Sequence, residues 1–365
     1  MKFSVAVTAL LAASSIVDAS PISFLSKKKH SSKKASSTTS TSIIANASNF
    51  TSFFNTTNFT GFGNSSVFAN TTRSNTTTAK LQETIQVYVT GGHVSLENST
   101  SYTSNCTTLL NQTSALNITQ LYDVATAVNS TLGSNSTKGT IIVTSEKNLE
   151  ALGFFAAVVF NSSAPVVVAT DAEQASLVAN STGAANRGAL VIDTDGVIYS
   201  GVFSPSLDQS AASIPVGVIT DEKTVAWYFE PSLPNFIAQD SLLRTTFANF
   251  TNTTPLEYSI VTPVVPIVYD GGYSEDLVNS VASTISGLVV ISSGATTNST
   301  SSQLASQSIP VVYTETSPLD VVTAGDVPKG AIAGGCLTPV KAQVFLGIAI
   351  ANDVTNTTSI AALLN

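Results

Sequence analysis

"VYVTGGHVSL", residues 87–96, decides how the chain is read. An apolar, β-branched run that breaks into Thr90-Gly91-Gly92 is how a strand delivers a reactive side chain to the carboxyl end of a sheet, where open α/β folds place their ligands. The residue delivered here is His93.

Working outward, "TIQVYVT" is one strand of a longer series. "NITQLYDVATAVNSTL" sets Ile118, Leu121, Tyr122, Ala125 and Val128 on one helical face behind a cap at Asn117. "GTIIVT", "APVVVAT", "GALVID" and "GVIYSGVF" read as further strands, with "NLEALGFFAAVVF" as a helix among them. The strands are continuous Val/Ile runs rather than alternating ones, which predicts mainly parallel sheets covered by helices on both faces. A second, smaller unit of the same kind follows. "VVPIVYD", "GLVVISS", "IPVVYT" and "GAIAGG" are its strands. Its helices are "SEDLVNSVASTI", with Ser274 as cap and Glu275 and Asp276 at the favourable end of the dipole, and "TPVKAQVFLGIAIAND", with Pro339 early in it.

The ends of the chain differ from this middle. Lys2, an apolar run and Val17-Asp18-Ala19 form a signal peptide over residues 1–19, too short to span a bilayer. Residues 20–80 are rich in Ser, Thr and Asn with no sustained period, too little apolar surface to offset the entropy of ordering a backbone. They are expected to be a disordered, glycosylated stalk. Residues 81–240 are then a larger α/β domain, 241–261 a linker and 262–365 a smaller α/β domain.

Hydrophobic residues make up 43% of the chain and charged ones 10%, enough to build a large core. Of the 15 Lys and Arg, eight lie at or before Lys80, whereas 22 of the 23 Asp and Glu lie after it. The folded part is therefore acidic, which argues against nucleic-acid binding. Lys27 to Lys29 with Lys33 and Lys34 read either as a processing site or anionic-wall contact, or as a solvated basic turn. Acceptors for N-glycosylation occur at Asn46, Asn49, Asn55, Asn58, Asn64, Asn70, Asn75, Asn98, Asn105, Asn111, Asn117, Asn129, Asn135, Asn161, Asn180, Asn249, Asn252, Asn298 and Asn356. That density predicts a secreted protein, extracellular or held in a cell wall, with no membrane-spanning segment. Cys106 and Cys336 are either one disulfide or two thiols. His30, His93 and the cysteines show no zinc spacing, and no glycine loop suits a nucleotide, so no cofactor is expected.

The order of strand, T-G-G, "GTIIVTSEKNLEALGFF", "APVVV", "ANRGALVI" and "VPIVYDGGYSEDLVNSV" resembles the bacterial-type L-asparaginase fold from residue 84 to the end. That resemblance implies amide hydrolysis by a threonine nucleophile, a Thr-Asp pair and a lysine acting as a unit. In this chain the matching positions carry His93, Glu146, Lys147 and Pro205, the family's G-T-D-T falling on Ser145-Glu146-Lys147-Asn148. With all four replaced, the expectation is a vestigial cleft and a non-catalytic protein. The alternatives are a module binding a small amino acid or its amide, or a residual asparaginase or amidohydrolase. A new acid/base site from His93 and Glu146 would need Ser95 or Ser145 as its nucleophile.

A closer resemblance covers the whole chain. "MKFSVAVTALLAASSIVDASPI", "VTGGHVSL", "SALNITQLYDVA", "YSGVFSP" and "VPIVYDGGYSEDLVNS" are similar to a yeast family of secreted cell-wall glycoproteins. The family is made on nutrient limitation and entry to stationary phase, and one paralogue acts in spore-wall maturation. It implies stress and starvation adaptation or wall maturation, with wall polysaccharide or wall proteins as partners. A homo-oligomer is compatible with it.

Overall fold

The computed structural model describes residues 84–91, 106–132, 137–206, 213–244, 262–270, 276, 280–292, 304 and 308–364. All of them belong to the unit Thr76–Asn365. The expected signal peptide and stalk, His93, most of the helix expected from Ser274, and residues 245–261 of the expected linker lie outside them.

As expected, the fold is α/β with mainly parallel sheets. The first sheet has eight strands: β1 (Thr84–Val89), β2 (Cys106–Thr108), β3 (Thr137–Val143), β4 (Val166–Ala169), β5 (Ala189–Ile192), β6 (Val197–Ser200), β7 (Pro215–Ile219) and β8 (Val225–Trp227). Their order is β2-β1-β3-β4-β5-β6-β7-β8. From β2 to β5 the pairing is parallel, with Val87 opposite Ile141 and Val167 opposite Leu190. β6, β7 and β8 then add in antiparallel fashion. The cause of that switch is local. In "DTDG" the Asp193 carboxylate accepts from the backbone N–H of Asp195 and Val197, and Gly196 takes φ +78°, closing a hairpin that a crossover helix would otherwise have to span.

The second sheet has four strands, all parallel: β9 (Ile267–Tyr269), β10 (Leu288–Ile291), β11 (Val311–Thr314) and β12 (Ile332–Ala333), in the order β12-β11-β10-β9.

Among the described residues five helices cover these sheets: α1 (Ile118–Leu132), α2 (Leu149–Val159), α3 (Ala172–Asn180), α4 (Pro339–Ala351) and α5 (Thr357–Leu364). Successive strand residues point to opposite faces, so Val87, Val89, Ile141, Val143, Leu190 and Ile192 pack with α3. Tyr88, Ile142, Val168 and Val191 pack on the other face with α1 and α2. The sequence reading missed α3. Its signal was Asp171, whose carboxylate caps the N–H groups of Glu173 and Gln174.

α2 is apolar nearly all round because it has two neighbours. Ten of its eleven residues are buried, against the first sheet and against α4, in a core that also takes in Val289 and Val312 of the second sheet. Phe236 fills the gap between Phe154 and Phe345, with ring centroids 5.8 and 5.6 Å away. α2 approaches the sheet so closely at Gly153 that a Cβ there would meet Val191 Cγ2 at 2.2 Å. At its far end the half-buried Arg244 guanidinium donates to the carbonyl oxygens of Ala157 and Val158, at 2.7 and 3.1 Å. The cation thereby answers the orphan carbonyls and negative dipole of the helix terminus, though burial lowers its pKa to about 10.

Candidate functional site

Of the two strand ends singled out by the sequence, the one after β3 borders a cleft of about 650 Å³, whereas Thr90 and Gly91 at the end of β1 are not among its lining residues. It lies beyond the carboxyl ends of β3 and β5 and against β9 and β10, and its walls include the first turns of α2 and α4. Glu146, Lys147 and Pro205 all line it, so three of the four positions expected from the sequence are brought together; the fourth, His93, is outside the described residues.

The turn that carries them is built by polar contacts. After β3 the chain enters a 3-10 turn at Glu146–Asn148 that leaves Glu146 and Lys147 exposed and buries Asn148. The Asn148 amide donates to Ser114 O and Ser145 Oγ, and its carbonyl oxygen accepts from Leu116 N at 2.9 Å. One buried side chain thus pins the segment before α1 to the segment before α2. The end of β1 is equally tight at Thr90 and Gly91. Thr90 is buried with its hydroxyl on Val143 O, and a Cβ at Gly91 would stand 2.0 Å from Gln112 O.

Beneath the cleft lies a polar cluster that the sequence reading missed. Glu150 and Lys341 are the charged residues buried most completely among those described, 6% and 0% exposed. Glu150, in the first turn of α2, accepts a short hydrogen bond from the Thr338 hydroxyl at the start of α4. Lys341, one turn into α4, donates to the Ser204 carbonyl at 2.5 Å. Burial lowers the Lys341 pKa to about 8, opposed by the negative field of Glu150 and of Cys336. Burial also pushes the Cys336 thiol up. A signal was present: Glu150 and Lys341 are the single charges in "NLEALGFFAAVV" and "TPVKAQVFLGIAIA", where a charge is expensive unless compensated. Glu150 also sits at the positive end of the α2 dipole.

The remaining lining is mixed. Asp193 spends its carboxylate on the hairpin turn and on the Tyr199 hydroxyl, at 3.1 Å. Asp195, Thr194, Ser206 and Thr316 add acceptors and donors, and Tyr269 stands at the end of β9 with 66% of its surface exposed. Concave, mixed in character and floored by a buried carboxylate with a buried lysine in its field, the cleft is equipped to hold a small ligand by convergent hydrogen bonds. Among the described residues no group of three or more His, Cys, Asp or Glu is placed to hold a metal ion.

Away from the cleft, the six glycosylation acceptors that are described, Asn111, Asn117, Asn129, Asn161, Asn180 and Asn356, are all exposed. Asn117 and Asn356 cap α1 and α5 through Oδ1, which accepts from Gln120 N at 3.0 Å and from Thr358 N at 2.8 Å. Cys106, exposed on β2, and Cys336, half-buried, are both free thiols. No helix among the described residues is long and apolar enough to cross a membrane.

No protein-family model matches the chain. It is similar to Protein YGP1 of Saccharomyces cerevisiae, with 43% identity over 369 residues that take in all of this chain and 99% of the relative. It is also similar to the sporulation-specific wall maturation protein of the same yeast, 40% identical over 293 residues, 76% of this chain and 87% of that one.

Proposed function

The chain belongs to the yeast family that contains Protein YGP1 and the sporulation-specific wall maturation protein, and on that premise we propose that it is a secreted, heavily N-glycosylated protein of the cell wall or its surroundings. Its role is in adaptation to stress and nutrient limitation or in wall maturation, on an asparaginase-like scaffold without the amidohydrolase chemistry.

The observation that carries this reading is the exposure of every described acceptor asparagine, including two that cap helices through Oδ1. A glycan attaches at Nδ2, so both caps are compatible with occupancy. Hydrated glycans at these positions would cover α1, α5 and the loops at Asn111 and Asn161, opposing proteolysis. An eight-stranded mixed sheet followed by a four-stranded parallel one supports the asparaginase-like scaffold. Glu146, Lys147 and Pro205 at the cleft support loss of its chemistry, because a hydroxyl nucleophile needs its base and cation together.

The test is to purify the secreted protein, map glycan occupancy by mass spectrometry, measure retention by isolated walls, and assay ammonia release from asparagine and glutamine. Occupied acceptors, wall retention and no ammonia are expected. An unglycosylated protein that walls do not retain, or measurable turnover, would overturn the reading.

The cleft favours a second reading in which a small-molecule site outlives the reaction. An amino acid or its amide is a poor fit, since Glu146 and Asp195 repel its carboxylate and Lys147 stands where the enzymes have an aspartate.

A further inference from the structure

The cleft below β3, β5 and β9 is more than a depression between loops. Its floor is made by a 94%-buried carboxylate, Glu150, oriented by the Thr338 hydroxyl and compensated by Lys341 behind it. That arrangement holds the first turns of α2 and α4 rigid relative to each other, and rigid supports are what let a polar site act without reorganising.

The chemistry of the groups that face inward narrows the ligand. Glu146 and Asp195 are acceptors standing on different loops, Lys147 adds a donor on the same turn as Glu146, and Thr194 and Ser206 can act as either. Carboxylates on two loops disfavour an anion. An apolar molecule would leave these groups without partners. A ligand whose own groups are both donors and acceptors satisfies all of them at once, and vicinal hydroxyls have that property. Tyr269, two-thirds exposed at the rim, offers a planar apolar face of the kind that covers the C–H face of a ring. The volume of about 650 Å³ is in the range that encloses a ligand larger than one amino acid.

We infer that this cleft is a binding site for a neutral, polyhydroxylated ligand, a short oligosaccharide, gripped by Glu146, Lys147 and Asp195 and stacked on Tyr269. The inference rests on the wall-related reading only for the source of the sugar, glucan or mannan. The site itself is argued from the side chains.

Isothermal titration of the full-length secreted protein with short β-linked gluco-oligosaccharides, α-linked manno-oligosaccharides, glucosamine oligosaccharides and asparagine tests it. Saturable binding of one neutral series is expected, weakened about tenfold or more by Glu146→Gln and by Tyr269→Ala, a loss matching one charged hydrogen bond or one stacking face. Both residues are exposed, so an unchanged melting temperature shows that the variants fold. Absence of binding to every neutral series overturns the inference. So does binding confined to the cationic oligosaccharide or to asparagine, or neutral binding that both variants leave intact. Wall retention is measured separately on the same variants. A protein that binds oligosaccharide but is not retained by walls refutes the wall-related reading and leaves the site standing, whereas one retained equally with and without a working cleft is held in the wall by its glycans or surface.

Discussion

The Thr338 hydroxyl donates to the Glu150 carboxylate across 188 residues of chain, joining the start of α4 to the start of α2 beneath the cleft. Thr338 occupies the N-cap position of α4 without capping that helix's own N–H groups. The contact ties the helix of one sheet to the helix of the other, and it depends on Lys341 to make a buried carboxylate tolerable.

Removing either charge alone leaves the other buried with its hydrogen-bond partner but without the opposite field that offsets its burial. Glu150→Gln or Lys341→Met is each expected to lower stability by about 1–3 kcal/mol, while the double variant loses less than the sum. Urea denaturation of the three variants measures this. Additive losses would mean that the two charges do not compensate one another.

The pH dependence has a defined sign. Lys341 titrates at about 8 when folded, against an ordinary value of 10.5, so in that interval the unfolded chain binds more protons than the native one. Lys341 then contributes a rise in stability with pH from about 8 towards 10, and below 8 both states are protonated and its contribution is constant. Above the ordinary thiol value of 9.0 Cys336 opposes the rise, because burial raises its pKa, and Tyr122, raised likewise by burial, adds to the fall where tyrosines ionise. Chemical denaturation from pH 7 to 10 should show the rise in the parent and a flatter profile in the Glu150→Gln/Lys341→Met variant.

Gly153 is a packing constraint. A Cβ at this position meets Val191 at 2.2 Å, a well-anchored strand side chain. Gly153→Ala gains helix propensity yet is expected to lose about 1–3 kcal/mol as α2 is pushed off the sheet. A melting temperature equal to or above the parent's would show that α2 can shift freely.

At Asn356 the glycan and the cap are separable. Asn356→Ala removes both and is expected to cost about 1 kcal/mol in deglycosylated protein, whereas Thr358→Ala removes the acceptor sequence and keeps the Oδ1 cap. Enzymatic deglycosylation that leaves aspartate also preserves a capping oxygen. Thermal melts of the two variants, with glycopeptide mapping, compare the contributions.

Much of the fold was legible because its signals are local. The Val/Ile runs of β1, β3, β4 and β5 are buried on both faces, the one environment that selects continuous rather than alternating hydrophobicity. Asn117 capped its helix as read, and Pro339 began another. The turn chemistry of "DTDG" was equally local, but the strands on either side suggested a parallel run, and the hairpin went unread.

The candidate site was legible only in part, for a physical reason. Glu146 and Lys147 could be found because they follow the end of a strand where the resembled family has its G-T-D-T, and Pro205 by counting on from "ANRGALVI" to that family's lysine. Glu150, Thr338, Lys341 and Ser204 acquire their meaning from one another, and no period or spacing links residues from such distant parts of the chain. Sequence by itself determined the alternation of strands and helices, the excess of acidic charge after Lys80 and the positions open to glycans, since composition and short-range hydrogen bonding suffice for these. Which charges lie under the cleft, and that they hold α2 against α4, was decided by the tertiary structure, because burial is a property of the packed chain and only burial makes those contacts strong.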